Sequence, residues 1–135
     1  MDMSKPLPHP TPITRPFWEG LAEGEIRLQK CNECGAWVFY PRSHCNRCLS
    51  DRLEWHKVSG VATLVSFTIA RQATAPMFAD EVPQRIAIIE LDEGVRMTTT
   101  LVNVADHAIR IGMKLRPVFD PVADRVTLLR FAPAG

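Results

Sequence analysis

Four cysteines, Cys31, Cys34, Cys45 and Cys48, form two Cys-x-x-Cys pairs and account for all 4 cysteines of the chain. A thiolate is both a nucleophile and a soft metal ligand, so the spacing has to decide between chemistries. Each pair suits a tight knuckle that turns two sulfurs toward one ion. Two such knuckles on neighbouring strands complete a tetrahedral tetrathiolate shell. Four thiolates fill the coordination sphere of Zn²⁺ and leave no position for water or substrate, so a site of this kind folds its surroundings rather than catalysing. The spacing therefore predicts a structural zinc ribbon.

Other uses of the four sulfurs rank lower. Two disulfides need an oxidising compartment, whereas the sequence opens Met1-Asp2-Met3-Ser4-Lys5-Pro6 with no apolar signal segment behind it, which points to a cytoplasmic setting. A redox dithiol needs only one Cys-x-x-Cys, at the start of a helix, and leaves the second pair unexplained. Iron competes more closely, because Cys31-Asn32-Glu33-Cys34-Gly35 resembles a rubredoxin knuckle and tetrahedral S₄ sites accept either metal. The second knuckle, Cys45-Asn46-Arg47-Cys48-Leu49, lacks the Pro and Gly of rubredoxin, and the loop between the pairs is too short. Zinc ranks ahead of iron.

The remaining chemistry-bearing side chains do not assemble into a catalytic set. There is no serine elbow and no spare cysteine. His44 beside Cys45 is expected to face solvent, and His56 sits on a strand opposite Trp55. His107 has Asp106 as its only neighbouring carboxylate, and a regular turn points that group elsewhere. Glu90, Asp92 and Glu93 crowd a hairpin and read as a solvated turn. The expected number of catalytic residues is zero. Two groups stand as candidate contacts instead. Arg42, Arg47 and Arg52 surround the second knuckle, where they meet either a partner or only solvent. Met77 and Phe78 lie in 71–82, a stretch without a clean period, and form either a folded-back cap or a surface offered to a partner.

The elements that must position these residues follow from pattern. The chain has 135 residues, 46% of them apolar, enough for a metal-stapled mini-domain plus a small barrel. No stretch is apolar enough to span a membrane. A formal charge of +1, from 16 basic and 15 acidic side chains, gives no global field to attract a polyanion, so nucleic acid is a weak default partner. Pro6, Pro8, Pro10, Pro12 and Pro16 exclude regular helix and central strand from the first residues, leaving an extended arm or a tail. Thr14 as cap, Pro16, and an apolar face of Phe17, Trp18 and Leu21 predict a short helix ending near Gly24. Strands are expected at 25–30 and 36–40 around the first knuckle and at 53–58 beyond the second. After Gly60 the pattern becomes purely β, with strands at 61–70, 85–91, 95–102, 113–119 and 125–131. A turn is expected at Asp92-Glu93-Gly94 and another at Pro121-Val122-Ala123-Asp124, with a helical turn near 104–109. Five such strands match an oligonucleotide/oligosaccharide-binding (OB) barrel better than a sandwich, which needs about seven. The expected class is mainly β: a Pro-rich arm (1–13), an N-terminal helix with a rubredoxin-like zinc ribbon (14–59), and a five-stranded OB-fold barrel (60–135).

These segments, in this order, resemble a known family. They are Phe17-Trp18-Glu19-Gly20-Leu21, Leu28-Gln29-Lys30-Cys31-Asn32-Glu33-Cys34-Gly35, Tyr40-Pro41-Arg42, Leu53-Glu54-Trp55, Val58-Ser59-Gly60, Ile88-Ile89-Glu90-Leu91-Asp92-Glu93-Gly94, Ile111-Gly112-Met113 and Phe131. The family is that of zinc-ribbon plus OB-fold proteins associated with acyl-CoA enzymes, long catalogued as a domain of unknown function. The resemblance implies a non-catalytic accessory subunit. Its partner would be a thiolase-superfamily enzyme, a lipid-transfer-type aldolase or an enoyl-CoA hydratase, and it would have possible contact with the coenzyme A thioester. The chain departs from the pattern where Pro83 is followed by Gln84 instead of an aromatic residue. An alternative class is a single-stranded nucleic-acid module, which needs exposed aromatics and a basic groove. The barrel offers only Phe67, Phe78, Phe119 and Phe131 and no basic stripe. A rubredoxin-like electron carrier is the third.

Overall fold

The computed structural model describes residues 7–72, 76, 80, 83–123 and 126–134. The first element is α1 (Arg15–Ala22), with Phe17, Gly20 and Leu21 on its buried side. The expected cap is not formed. The Thr14 hydroxyl instead accepts the Thr11 N–H at 2.8 Å, while Thr11 Oγ1 accepts the Thr14 N–H at 3.2 Å, so the two threonines close their own turn and leave the helix N–H groups aside. Proline at the start of the helix compensates, since it has no N–H to satisfy. Gly24, at φ 78°, ends the helix close to the expected position.

Strand β1 (Ile26–Cys31) is the centre of a three-stranded antiparallel sheet, flanked by β2 (Trp37–Val38) and β3 (Leu53–Val58). Six residue pairs join β1 to β3, from Ile26↔Val58 to Cys31↔Leu53. The strand expected at 36–40 shrinks to two residues, paired as Gln29↔Val38 and Lys30↔Trp37. Beyond them the chain must bend toward the second knuckle, and the side chain of Gln29 takes over from the ladder, as described below.

The second sheet has the order β6-β5-β4-β7-β8, built from β4 (Ala62–Ala70), β5 (Gln84–Leu91), β6 (Arg96–Thr100), β7 (Lys114–Ala123) and β8 (Val126–Pro133). A bulge between Leu64 and Ser66 bends β4. Its start can then pair with β7 through Ala62↔Leu115 and Thr63↔Lys114 while its length follows β5. The turn at Asp92-Glu93-Gly94 is as expected, with Gly94 at φ 92°. The helical insertion is one 3₁₀ turn, Asp106–Ala108. The turn expected at 121–124 is not formed by Pro121–Ala123, which belong to β7, with Pro121 opposite Thr127 in the ladder; Asp124 lies outside the described residues. The outer strands approach through a single parallel bridge, Leu101↔Phe131, with the Val102 N–H on the Phe131 carbonyl at 2.9 Å. The fold is thus an OB-type arrangement whose barrel is not closed along its length.

The two sheets share one interior. Phe17 and Leu21 from α1, Ile26, Leu28 and Val58 from the first sheet, and Leu64, Ile89, Leu91, Leu115 and Phe131 from the second belong to one buried cluster. A separate small cluster holds Cys31, Val38 and Cys45. The joint between the sheets is Gly60, at φ 83°, where an added Cβ would lie 2.8 Å from Pro117 Cγ. Only glycine meets both conditions.

Candidate metal centre

The two knuckles are built alike. Cys31 closes β1, and its carbonyl accepts the Gly35 N–H at 2.9 Å; the Cys45 carbonyl accepts the Leu49 N–H at the same distance. These turns bring the four sulfurs within 4.8 Å of one another, with Cys31 Sγ 3.5 Å from Cys48 Sγ and Cys34 Sγ 3.7 Å from Cys45 Sγ. A regular tetrahedron with Zn–S bonds of about 2.3 Å has S···S edges of about 3.8 Å, close to these two separations, so the donor set suits one tetrahedral ion. Cys31 and Cys45 are buried, whereas Cys34 and Cys48 form the outer side.

The protonation chemistry also asks for a cation. Backbone N–H groups of Cys34 and Glu33 hold the Cys31 thiol below its ordinary value. Those of Cys48 and Arg47 bring Cys45 down to about 7. At Cys48 the Ser50 N–H pulls downward, but burial and the neighbouring sulfurs of Cys31, Cys34 and Cys45 outweigh it and push the thiol up to about 12. The knuckles favour thiolates, yet four thiolates this close cannot all ionise without a positive charge between them.

Between the knuckles the chain is tied back by Gln29, a buried polar residue of β1. Its Nε2 donates to the Arg42 carbonyl at 3.0 Å, and its Oε1 accepts the Arg42 N–H at 2.9 Å. The side-chain amide thus imitates the next rung of the ladder that β2 fails to provide. Nothing in the hydrophobic pattern marks this role; a glutamine inside an otherwise buried strand is the signal that could have found it.

The other candidates are placed as follows. Arg42 and Arg47 are exposed on the ribbon surface, with Arg42 Nε on the Tyr40 carbonyl at 3.1 Å. Arg52 meets Glu33 at 3.1 Å. His44 is exposed and 3.0 Å from the Ser43 hydroxyl; His56 stands edge-on to Trp37 at 5.9 Å. Asp106 is engaged by Arg85 and not by His107. Met77 and Phe78 lie outside the described residues. A cavity of about 250 Å³ runs between α1 and the gap separating β6 from β8, lined by Phe17, Trp18, Phe39, Tyr40, Met97 and Leu129 among others. The buried Trp18 Nε1 has no hydrogen-bond partner among the described residues.

Residues 18–54 match the family model described as "ChsH2, rubredoxin-like zinc ribbon domain", and 55–120 match "ChsH2, C-terminal OB-fold domain". A "DUF35 domain-containing scaffold protein" of Methanothermobacter thermautotrophicus is 34% identical over 96 residues, covering 70% of this chain and 71% of that protein. The chain belongs to the ChsH2-type DUF35 family. Another relative of this DUF35 chain, a "Probable enoyl-CoA hydratase alpha subunit" of Thermomonospora curvata, is 30% identical over 119 residues, or 87% of this chain but 37% of that protein. The chain therefore spans little more than a third of that relative. A chain of the solved structure described as "Ltp2-ChsH2(DUF35) aldolase" superposes with a TM-score of 0.83 at 27% identity, covering 95% of this chain and 99% of that one. The boundary between the two family models falls inside β3, so the third strand of the DUF35 ribbon sheet begins in one and ends in the other.

Proposed function

We propose that this chain is a non-catalytic, zinc-binding accessory subunit of a cytoplasmic acyl-CoA-processing enzyme complex, with a thiolase-superfamily enzyme as its partner. The observation that carries the reading is the near-complete superposition on a chain of the Ltp2-ChsH2(DUF35) aldolase, together with a sulfur site that has no room for a reacting group. When bound, zinc would supply a charge centre that lets Cys31, Cys34, Cys45 and Cys48 ionise together. The chain's own residues do the rest: Gln29 fixes the strand between the knuckles, and the shared core holds the ribbon against the barrel.

Arg42 and Arg47 are the contacts for the partner or for the thioester's phosphates, and Met77 and Phe78, outside the described residues, are further candidate contacts. The ribbon (14–59) carries the docking role and the barrel (60–135) supports it. A stable complex of this kind buries on the order of 2,000 Å² or more. The nucleic-acid alternative is weakened by the barrel aromatics: Phe67 and Phe119 pack against the core and Phe131 is fully buried, so among the described residues they form no stacking platform.

The test is co-expression with a thiolase-superfamily subunit encoded in the same genome, followed by size-exclusion chromatography and an acyl-thioester cleavage assay of the chain alone and of the complex. Co-elution with turnover only in the complex is expected. Turnover by the chain alone, or no association with acyl-CoA enzymes of this type, would overturn the reading. Absorption of the purified protein separates zinc from iron, since only an iron tetrathiolate is coloured.

A further inference from the structure

The four sulfurs are not equivalent toward solvent. Each knuckle contributes one buried cysteine, Cys31 or Cys45, and one exposed cysteine, Cys34 or Cys48. The sulfur contacts run across the knuckles. Cys31 Sγ lies 3.5 Å from Cys48 Sγ, and Cys34 Sγ lies 3.7 Å from Cys45 Sγ, so each exposed sulfur faces a buried one from the opposite turn. A thiolate that is both ionised and reachable is the form that oxidants attack, and sulfurs that ligate a cation are ionised. Half of the donor set meets both conditions, and each of its members has a second sulfur at hand.

We propose that the sulfur cluster is an oxidation site for hydrogen peroxide, with Cys34 and Cys48 as the attacked sulfurs and Cys45 and Cys31 as the partners that close onto them across the knuckles. The Cys48 thiolate attacks one peroxide oxygen, forming the S–O bond of a sulfenic acid while the O–O bond breaks and hydroxide leaves. The Cys31 thiolate then displaces a second hydroxide from that sulfur and forms the disulfide. Two sulfurs are oxidised and one peroxide is reduced. The same two steps join Cys34 to Cys45. No thiolate is then left to hold a cation, so the ion passes to solvent.

The crossed pairing decides what becomes of the ribbon. A bridge inside one Cys-x-x-Cys pair would leave the two knuckles free of each other, whereas crossed bridges join sulfurs 17 and 11 positions apart and tie the knuckles as the ion does. Longer closed loops also restrict the unfolded chain more. The buried set of Cys31, Val38 and Cys45 therefore stays assembled after the ion has gone. One staple replaces another. The inference rests on the metal centre of the proposed function and on no partner enzyme.

The test uses the purified full chain, its zinc content measured first, with hydrogen peroxide as the probe. A colorimetric chelator follows metal release, and the oxidised chain is digested without reductant. Trypsin cuts after Lys30, Arg42, Arg47 and Arg52, so the cysteines fall in peptides 31–42, 43–47 and 48–52. Crossed bridges hold all three in one species, which a second cut after Glu33 resolves into a Cys31 to Cys48 pair and a Cys34 to Cys45 pair. About two peroxides should be consumed per ion released, before the methionines gain oxygen. Hydrogen-exchange protection of 31–53 should persist in the oxidised chain, unlike the chain stripped by a chelator. Bridges confined to single knuckles would overturn the proposal, as would sulfinic or sulfonic acids at Cys34 and Cys48 in place of disulfides. So would metal retained while the methionines oxidise, or protection of 31–53 lost as fully as on chelation. A chain purified without an ion removes the metal reading and this proposal with it; a stoichiometric ion followed by any of those outcomes removes the proposal alone.

Discussion

The interior of the five-stranded sheet is made of large apolar side chains: Leu64, Ile89, Leu91, Leu115 and Phe131 are each 1% exposed or less. At the far end of the ribbon the buried set is only Cys31, Val38 and Cys45, backed by Ala36 and Leu53. Two of those three are cysteines of the candidate metal centre. In the barrel, burial of apolar area at roughly 25 cal/mol per Å² does the stabilising. In the ribbon tip there is too little such area, and on the proposed reading sulfur–metal bonds would take its place. The same chain thus uses two sources of order, and each should fail under a different insult.

The largest separation of the two comes from the metal. Cys45→Ser should lower the metal content from about one ion per chain to nearly none and remove hydrogen-exchange protection from 31–53, while amides of β4 and β5 stay protected; a strong chelator should reproduce this in wild type. Protection lost equally from both sheets would mean that the metal holds the whole molecule. Phe131→Ala should act from the other side. It empties the centre of the shared core and should cost about 3–5 kcal/mol in urea unfolding, with metal content unchanged in the folded protein.

Gly60→Ala probes the joint, where an added methyl meets both a positive φ and the Pro117 ring. A loss of about 1–3 kcal/mol is expected, visible as a lower urea midpoint. The smallest effect is reserved for Arg52→Ala. The Arg52–Glu33 pair is largely exposed, with side chains 72% and 48% accessible, so its removal should change stability by no more than about 0.5 kcal/mol.

How much of this could be read beforehand depends on how local each signal is. The sulfur site was legible because Cys-x-x-Cys encodes its own turn, and the barrel strands because alternation and the Asp92-Glu93-Gly94 turn are contiguous in sequence. The bulge in β4 was not legible, since it answers to two partners, β5 and β7, distant in the chain. Nor was the tie from Gln29 to Arg42, where a side chain replaces backbone pairing thirteen residues away. Thr14 was misleading because a second hydroxyl, Thr11, competes for the same groups. Pro121 marks a turn in most contexts, but here it enters β7 opposite Thr127. The contact role expected of Arg42 and Arg47 needs a partner surface, which no single chain encodes.

The close fit of Gly60 against Pro117 bears on more than stability. With no space for even a methyl group there, and with α1 driving Phe17 and Leu21 into the interior common to both sheets, turning one sheet relative to the other would open a void. Whatever grips the ribbon therefore also sets the bearing of the barrel. Mechanically the chain is a rigid spacer, and the separation between a surface touched by its ribbon and one touched by its barrel is a length this sequence fixes.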